Sequence, residues 1–262
     1  MQVRAKKFLG QHFLKDLDVA KRIADTLVLE KRMPVLEIGP GTGVLTQFLY
    51  NQPNIDLTCV ELDWDSAAYL RKYYPDMKLW EADFLKLDLN DLFHGEQFCI
   101  TGNYPYNISS QIFFKALDYR DQVPLLTGMV QKEVAERVAS KPCKKAYGIL
   151  SVLLQAYYDI EYLFTVPPDV FDPPPKVQSA VIRFTRNNVT KLDCDERLFK
   201  TVVKTAFNQR RKTMRNSLKS LVVKESKMWE NPVFNLRPEQ LGVAEFVDLT
   251  NLLQAEMTTI SD

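Results

Sequence analysis

The stretch Pro34-Val-Leu-Glu-Ile-Gly-Pro-Gly-Thr-Gly-Val-Leu-Thr46 decides the fold. Its first half is a short apolar run typical of a buried strand, and three glycines follow at alternate positions. Glycine permits positive φ angles and leaves no Cβ between the backbone and a ligand. Apolar residues then recur at helical spacing from Val44 to Leu49. A strand, a glycine loop and a helix in this order predict a doubly wound α/β sheet that binds a nucleotide where the strand ends.

The spacing of the glycines bears on which nucleotide is bound. A dinucleotide site requires G-x-G-x-x-G, but Val44 stands where the third glycine would follow Gly41, and Thr46 where it would follow Gly43. Glu37, just before the loop, would repel a pyrophosphate but attract an ammonium group. The sequence therefore predicts a nucleoside-like, positively charged ligand. The pattern Glu-x-Gly-x-Gly-x-Gly resembles the first motif of S-adenosylmethionine-dependent methyltransferases.

Two further acids follow predicted strands. The second strand ends near Glu61, which is expected to accept hydrogen bonds from ribose hydroxyls. The third precedes Asp83, which is placed to accept from an adenine amino group while Leu62 or Phe84 covers a ring face. One such acid is more often a solvated loop residue, but three at the ends of successive strands favour a site. The expected cofactor-binding residues here are Glu37, Gly39, Gly41, Gly43, Glu61, Leu62, Asp83 and Phe84.

The tetrapeptide Asn103-Tyr-Pro-Tyr106 follows the predicted fourth strand. An adenine amino group is a poor nucleophile because its lone pair is delocalised into the ring. The Asn103 side-chain oxygen and the Tyr104 carbonyl, held rigidly by Pro105, could accept its two N–H bonds, while Tyr106 stacks on the base. Catalysis would then consist of orientation and electrostatics without a strong general base. The tetrapeptide resembles the signatures of amino-group methyltransferases, although its residues alone also suit an ordinary turn.

A proline-rich segment covers residues 166–179 and contains five prolines. Such a loop costs little entropy to hold in one shape. It could present Phe171 as a second stacking surface opposite Tyr106, because an extruded base is commonly held between apolar or aromatic side chains. A plain rigid connector is an equally good interpretation of the segment.

The length and composition suit one large or two modest domains with a genuine core, since 46% of the 262 residues are hydrophobic. We expect a Rossmann-like domain over residues 1–188 and a small all-α domain over residues 189–262. No apolar run of about 18 residues and no apolar leader segment is present, so we expect a cytoplasmic protein without membrane contact. The four scattered cysteines and two histidines predict neither a metal site nor a disulfide framework.

Charge is balanced overall but not locally. The chain has 34 Lys and Arg against 33 Asp and Glu, whereas residues 199–224 contain eight Lys or Arg and no acid. A charge run is usually a solvated face, but the lack of compensating acids in a nearly neutral protein favours a phosphate backbone as partner. The predicted RNA-binding residues are Arg210, Arg211, Lys212 and Arg215.

Five stretches together resemble the ribosomal RNA adenine N6,N6-dimethyltransferases of the KsgA type. They are residues 9–14, 37–46, 103–108, 171–179 and 207–216. The resemblance covers essentially the whole chain. It implies a class I S-adenosylmethionine methyltransferase domain, with a seven-stranded, mostly parallel sheet, followed by a helical domain. The implied activity is dimethylation of two adjacent adenines near the 3′ end of 16S rRNA, within the small (30S) ribosomal subunit during ribosome biogenesis, by a monomeric enzyme.

The resemblance also implies roles for individual residues. Gln11, His12 and Leu14 would line the cofactor pocket, and Asn103 would contact both the cofactor and the target adenine. Asn103, Tyr104 and Tyr106 with Phe171 would hold the adenine. Two positions depart from the family, because Tyr104 replaces the usual leucine and His12 the frequent asparagine.

Two alternatives remain at this stage. A sister enzyme that dimethylates a large-subunit (23S) rRNA adenine and confers macrolide resistance shares the cofactor motifs. The Arg-Arg-Lys-Thr-Met-Arg segment argues against it, since this segment looks like the small-subunit branch. A non-catalytic RNA-binding assembly factor is disfavoured by the intact acids and by Asn103.

Overall fold

The computed structural model describes residues 3–6, 9–222 and 226–261, with side chains of the last helix described as far as residue 257. Lys7 and Phe8 of the N-terminal arm and Lys224 of the cationic run lie outside the described residues. The strands are β1 Phe13–Leu14, β2 Met33–Ile38, β3 Ile55–Glu61, β4 Lys78–Glu81, β5 Cys99–Thr101, β6 Leu125–Gln131, β7 Tyr158–Val166, β8 Phe171–Asp172 and β9 Ser179–Arg186.

The helices alternate with the strands through the first part of the chain. They are α1 Leu17–Ala24, α2 Thr46–Leu49, α3 Trp64–Tyr73, α4 Leu89–Phe93, α5 Ser109–Asp118, α6 Lys132–Val138, α7 Ile149–Gln155, α8 Glu196–Asn208, α9 Met214–Ser217 and α10 Val243–Ser261. Of the helices in the described part of the chain, none is long and apolar enough to span a membrane.

Seven strands form one sheet in the order β4-β3-β2-β5-β6-β9-β7. The pairs β2–β3, β3–β4, β2–β5 and β5–β6 are parallel, whereas β9 runs antiparallel to β6. The predicted seven-stranded, mostly parallel sheet is therefore confirmed. After β4 the chain returns to place β5 on the other side of β2, so the carboxyl ends of β2, β3 and β5 meet at a topological switch point, where open α/β sheets bind ligands.

Helix α1 shows how local capping sets the ends of an element. The Asp16 carboxylate accepts from the backbone N–H groups of Asp18 at 2.9 Å and Val19 at 3.0 Å, a cap worth about 1 kcal/mol. The helix ends at Ala24. The Thr26 hydroxyl and the Thr26 N–H both donate to the Ile23 carbonyl, at 2.6 Å and 3.1 Å, so this helix-end acceptor is satisfied as the chain turns.

The glycine loop is longer than the sequence pattern predicted. Gly39, Gly41 and Gly43 have φ angles of 65°, 58° and 80°, which are unfavourable for residues with a Cβ. The following helix begins only at Thr46, because the chain first makes a turn in which the Gly43 N–H donates to the Pro40 carbonyl at 2.9 Å. The predicted apolar spacing from residue 44 therefore belongs partly to the turn.

Contacts divide the chain into two compact units. One comprises Met1–Ala135 and Asp159–Arg186, and the other comprises Glu136–Tyr158 and Asn187–Asp262. The predicted ranges, 1–188 and 189–262, differ from these units in residues 136–158 and 187–188. Within the second unit α7 packs against α8, and the Tyr147 ring meets the Phe207 ring at 6.1 Å. The change of composition near residue 188 does not reveal that α7 packs against α8. The division into two contiguous domains, 1–188 and 189–262, stays a prediction.

Candidate active site

A cavity of about 310 Å³ lies at the switch point of the first unit. This volume is at the lower end of the ~300–1,000 Å³ typical of small-molecule sites. Its lining comes from the N-terminal arm, the glycine loop and the segments that follow β3, β4 and β5. The lining residues are 9–13, Ile38, Gly39, Gly41, 60–62, 82–85 and 103–108. The sequence predicted most of these segments, and the fold brings them together.

Glu61 lies on one wall of the cavity with both carboxylate oxygens engaged by backbone. One oxygen accepts from the Gly41 N–H at 3.0 Å and the other from the Asp63 N–H at 2.8 Å. Burial raises the pKa of Glu61, while these two N–H groups pull the pKa down. Because each oxygen keeps a further lone pair, the carboxylate is fixed in place and can still accept from a diol.

Asp83 and Phe84 form the wall beyond β4. The Asp83 carboxylate accepts from the Leu85 N–H at 3.0 Å, which caps a short 3₁₀ turn. Phe84 is buried, and its carbonyl accepts from the Lys115 ammonium at 2.6 Å. The same ammonium lies 4.9 Å from the centroid of the Phe84 ring. The turn therefore holds an acceptor and an aromatic face side by side, while Leu62 is 56% exposed.

The N-terminal arm is tied to the end of β3 through Asp63. The Lys6 ammonium donates to the buried Asp63 carboxylate and also contacts Asp65 at 2.7 Å. The Gln11 amide donates to Asp63 at 3.3 Å and accepts from the Lys6 N–H at 2.8 Å. Burial acts to raise the pKa of Asp63, but hydrogen bonds from Lys6, Ser66 and Gln11 leave it lowered.

The family resemblance implied that Gln11 lines the pocket, and Gln11 does line it. Sequence reasoning missed Lys6 and Asp63, which hold the arm there. The available signal was Asp63 itself, a second acid two positions after Glu61 at the end of the same predicted strand.

Asn103 occupies the cavity with a fixed side-chain amide. Its Nδ2 donates to the His12 carbonyl at 3.1 Å. The arm therefore uses the donor end of the amide and leaves the oxygen as the group that can accept from an amine. This is the orientation that the predicted role of Asn103 requires.

Tyr104 is 1% exposed, and it is anchored to β6. Its N–H donates to the Met129 carbonyl at 3.0 Å, and its hydroxyl donates to the Thr127 carbonyl at 2.6 Å. A Cβ added at Gly128 would lie 2.6 Å from the ring, and one at Gly102 would lie 3.1 Å from it. The tyrosine that departs from the family pattern is accommodated above these two glycines, where no other residue would leave room for its ring.

Tyr106 follows Pro105, and both its hydroxyl and one face of its ring are in contact with other residues. Its hydroxyl is hydrogen-bonded to the Ser179 hydroxyl at 2.5 Å. Its ring stacks with the His12 imidazole, with centroids 5.4 Å apart and planes inclined by 29°. Burial raises the pKa of Tyr106, so this hydroxyl stays protonated at neutral pH. Ser179 is the last residue of the proline-rich segment 166–179, and it fixes the tip of Tyr106.

Four predicted site residues do not line the cavity: Leu14, Glu37, Gly43 and Phe171. Leu14 and Phe171 are partners in the β1–β8 ladder, and both side chains are buried in the core. Phe171 is 1% exposed and does not line the cavity that Tyr106 lines, so in this structure it offers no second stacking surface there. The ring that stacks on Tyr106 is His12, which sequence reasoning placed only in the cofactor pocket.

Glu37 and Gly43 lie behind the cavity wall. The Glu37 carboxylate accepts from the Cys59 thiol at 3.7 Å, and burial raises the pKa of Glu37 to about 7. A Cβ at Gly43 would lie 2.9 Å from the Tyr74 ring. Direct contact of these two residues with a ligand stays a prediction.

The predicted RNA-binding cations fall into two pairs within the second unit. Arg210 donates to the Glu239 carboxylate at 3.0 Å and to the Lys144 carbonyl at 3.2 Å. Arg215 donates to the Trp229 carbonyl, and its guanidinium lies 5.5 Å from the Trp229 ring. Arg211 and Lys212 are exposed, and neither forms an ion pair with any residue that the structure describes.

The cavity fits an adenosine-type cofactor by its own chemistry. It offers a fixed carboxylate after β3, an acceptor beside an aromatic face after β4, and a glycine loop against which a ligand can lie. The Gly41 position is tight, since a Cβ there would lie 3.0 Å from the Phe13 ring.

Comparison with known proteins agrees with this chemistry. A family model described as Ribosomal RNA adenine dimethylase matches residues 2–255. Ribosomal RNA small subunit methyltransferase A of Phocaeicola vulgatus is 60% identical over 262 aligned positions, which cover 99% of this chain and 93% of the relative. The protein of the same name from Parabacteroides distasonis is 63% identical over 257 positions, which cover 97% of this chain and 96% of the relative.

Two solved structures show the same fold. A dimethyladenosine transferase from Plasmodium falciparum has a TM-score of 0.74 at 22% identity and covers 95% of this chain and 98% of its own. The 23S rRNA methyltransferase ErmE has a TM-score of 0.68 at 26% identity and covers 91% of this chain and 99% of its own. The predicted methyltransferase fold with a helical C-terminal region is confirmed. As the five sequence stretches predicted, the chain belongs to the ribosomal RNA adenine dimethylase family, whose members are S-adenosylmethionine-dependent methyltransferases.

Proposed function

We propose that this enzyme methylates the N6 amino groups of two adjacent adenines near the 3′ end of 16S rRNA, each of them twice. The observation that carries the proposal is the fixed Asn103 amide, whose donor end is bound by the His12 carbonyl and whose oxygen is left to accept from an amine. It lies in the same cavity as Glu61 and Asp83. A cofactor site and an amine acceptor therefore share one space.

The chain's own residues supply orientation rather than acid–base chemistry. S-adenosylmethionine would supply the methyl group by cleavage of its sulfonium S–CH3 bond, with the neutral thioether S-adenosylhomocysteine as the leaving group. Glu61 accepts from the ribose hydroxyls, and Asp83 accepts from the cofactor's adenine amino group beside Phe84. The Asn103 side-chain oxygen and the Tyr104 carbonyl accept hydrogen bonds from the two N–H groups of the target amine. These two hydrogen bonds draw the nitrogen lone pair out of conjugation with the ring. The methylated nitrogen then carries a positive charge and releases its proton to water, so no strong base is needed.

The anchoring of the Asn103–Tyr106 segment supports this role. Tyr104 is bound to β6 through both its N–H and its hydroxyl, and Tyr106 is bound to Ser179. Preorganised acceptors of this kind cost no reorganisation when the reaction occurs. Tyr106 supplies the aromatic face on which the extruded adenine stacks.

The substrate in this proposal is the small (30S) subunit, and the enzyme acts on it as a monomer. Exposed Arg211 and Lys212 contact the phosphate backbone, since neither is engaged by an acid among the described residues. Arg210 and Arg215 instead form contacts within the second unit, with Glu239 and with the Trp229 carbonyl. The cytoplasmic location expected from the sequence stays a prediction.

One alternative substrate has an observation in its favour. The likeness to ErmE, at 26% identity over most of both chains, is compatible with the same chemistry on a large-subunit adenine. The relatives that are about 60% identical carry the small-subunit name instead. The choice of adenine therefore needs an assay on both subunits.

The test is to incubate the purified protein with methyl-labelled S-adenosylmethionine and, separately, unmethylated small subunits, large subunits and naked rRNA. The RNA is then digested and the modified nucleoside identified. We expect N6,N6-dimethyladenosine from small subunits. Label in large subunits alone would assign the ErmE-type substrate, and cofactor binding without label in any RNA would refute the proposed function.

A further inference from the structure

His12 joins three segments of the cavity. Its carbonyl accepts from Asn103 Nδ2 at 3.1 Å, its Nδ1 lies 2.8 Å from the Pro173 carbonyl oxygen, and its ring stacks on Tyr106. Because a carbonyl can only accept a hydrogen bond, Nδ1 must be the protonated nitrogen in this contact. The imidazole is therefore tethered to the proline-rich segment while it covers one face of Tyr106.

The stack leaves no space for a base on that face. The two ring centroids are 5.4 Å apart, whereas a base inserted between two rings would need a centroid separation of at least about 4.5 Å from each of them. An adenine therefore cannot enter between the His12 imidazole and the Tyr106 ring while the two are stacked. Either the target base displaces His12 or it uses another surface.

The contacts of His12 allow its side chain to move away from Tyr106 while its main chain stays in place. The bond that orients Asn103 is made by the main chain of His12, whereas the bond to Pro173 is made by its imidazole. Rotation of the side chain breaks only the tether and the stack. The amine acceptor keeps its orientation throughout.

We propose that His12 is a gate on the target-base site, whose imidazole occupies the place of the target adenine on Tyr106 until the base enters and displaces it. The inference rests on the proposed function, because only an enzyme that acts on an extruded base needs this space. The gate determines specificity. An adenine can both replace the lost stacking on Tyr106 and donate its amino group to Asn103, whereas uracil, water or a small amine cannot do both, so the imidazole stays over Tyr106 in their presence.

The kinetic test compares two variants with the wild-type protein on small subunits. His12→Ala empties the place on Tyr106 but keeps the main-chain bond to Asn103. The His12 ring covers Tyr106 in this structure, so the open state is the minor one. Removal of the imidazole should therefore lower the KM for RNA about three- to tenfold. His12→Phe keeps a ring over Tyr106 but lacks Nδ1, so its KM should not fall. The affinity for S-adenosylhomocysteine is measured for all three proteins, so that an effect on the cofactor pocket, which His12 also lines, is separated from an effect on RNA binding.

A direct measurement uses the fact that the chain contains only two histidines, His12 and His94. In protein labelled with ¹⁵N-histidine, the His12→Ala variant assigns both imidazole spectra. An RNA hairpin carrying two adjacent adenines, added with S-adenosylhomocysteine, should remove the hydrogen-bonded Nδ1 signal of His12 and leave His94 unchanged. A hairpin with uridines at the two positions should leave both unchanged.

The outcomes separate the gate from the proposed function. If the wild-type protein methylates no RNA, the proposed function itself fails. If it methylates small subunits but the KM of His12→Ala rises, His12 is a second wall for the base and the gate is refuted. An unchanged KM, or a His12 signal unaffected by bound hairpin, means that the base uses another surface and also refutes the gate.

Discussion

Glu37 and Glu61 lie near the carboxyl ends of two neighbouring parallel strands, both are buried, and they occupy different environments. Glu61 faces the cavity and accepts two backbone N–H groups, one of them from the glycine loop. Glu37 faces the core behind the loop, where a thiol is its hydrogen-bond partner. The comparison divides the site into residues that face the ligand and residues that hold the wall from behind. A sequence motif contains both kinds and does not distinguish them.

Phe171 gives the largest expected effect on the supporting side. Phe171→Ala should lower the free energy of unfolding by about 3–5 kcal/mol, because it removes a large, fully buried side chain. Denaturant titration checks the loss, and Phe171→Leu should recover most of it. Full stability of Phe171→Ala with weakened RNA binding would instead place this ring on the ligand-facing side.

Asn103 gives the largest expected effect on the ligand-facing side. Asn103→Ala should lower kcat on small subunits about 10²- to 10³-fold, the size expected when one preorganised polar group is lost. Its unfolding midpoint should stay close to that of the wild type, since the side chain contributes a single hydrogen bond to the fold. Single-turnover methylation and thermal unfolding, measured on one preparation, check both halves. A large loss of stability would move Asn103 to the supporting group.

Glu37 also predicts a dependence of stability on pH. Its pKa is raised in the folded protein from 4.5 to about 7, so the folded state binds this proton more tightly than the unfolded state. Stability should therefore fall as the pH rises from about 4.5 to 7 and level off above that range. The total is about 3 kcal/mol, from 1.36 kcal/mol per pKa unit.

Glu37→Gln carries no titrating proton and isolates this effect. Its stability relative to the wild type should increase by about that amount between pH 5 and pH 8. Denaturant titrations at several pH values provide the measurement. A constant difference between the two proteins would show that Glu37 is not buried in this way.

The cations of the second unit also divide into ligand-facing and supporting residues, with smaller expected effects. Arg211→Ala and Lys212→Ala should each reduce the slope of log affinity against log salt by roughly 0.7–0.9 and leave the unfolding midpoint unchanged. Arg210→Ala should instead lower stability, because it leaves Glu239 without its partner. Salt titrations of small-subunit binding test the first effect. Equal salt slopes for all three variants would contradict the division.

The sequence predicted those parts of the site that depend on local sequence patterns. The glycine loop and the acids after successive strands predicted the switch point and the positions of Glu61 and Asp83. The alternation along β2 could not show which way Glu37 faces, because a parallel strand buried on both faces lacks a polar side. The apolar neighbours of Glu37 are the same on either interpretation.

Contacts between distant segments could not be predicted. Phe171 is buried because β8 pairs with β1 near the opposite end of the chain. His12 reaches Tyr106 and Pro173 only after three segments converge, and Lys6 reaches Asp63 only once the arm lies against β3. None of these pairs has a spacing or a local pattern that would show it in one sequence.

Calorimetric titration of S-adenosylmethionine into Glu61→Gln and Glu37→Gln tests the division most directly. A carboxylate that binds hydroxyls contributes about 1.5–3 kcal/mol through charged hydrogen bonds. Glu61→Gln should therefore raise the Kd about 10- to 100-fold, whereas Glu37→Gln should stay close to the wild type. A large rise in Kd for Glu37→Gln, with little change for Glu61→Gln, would contradict the account and restore Glu37 as the ligand of the cofactor's ammonium group.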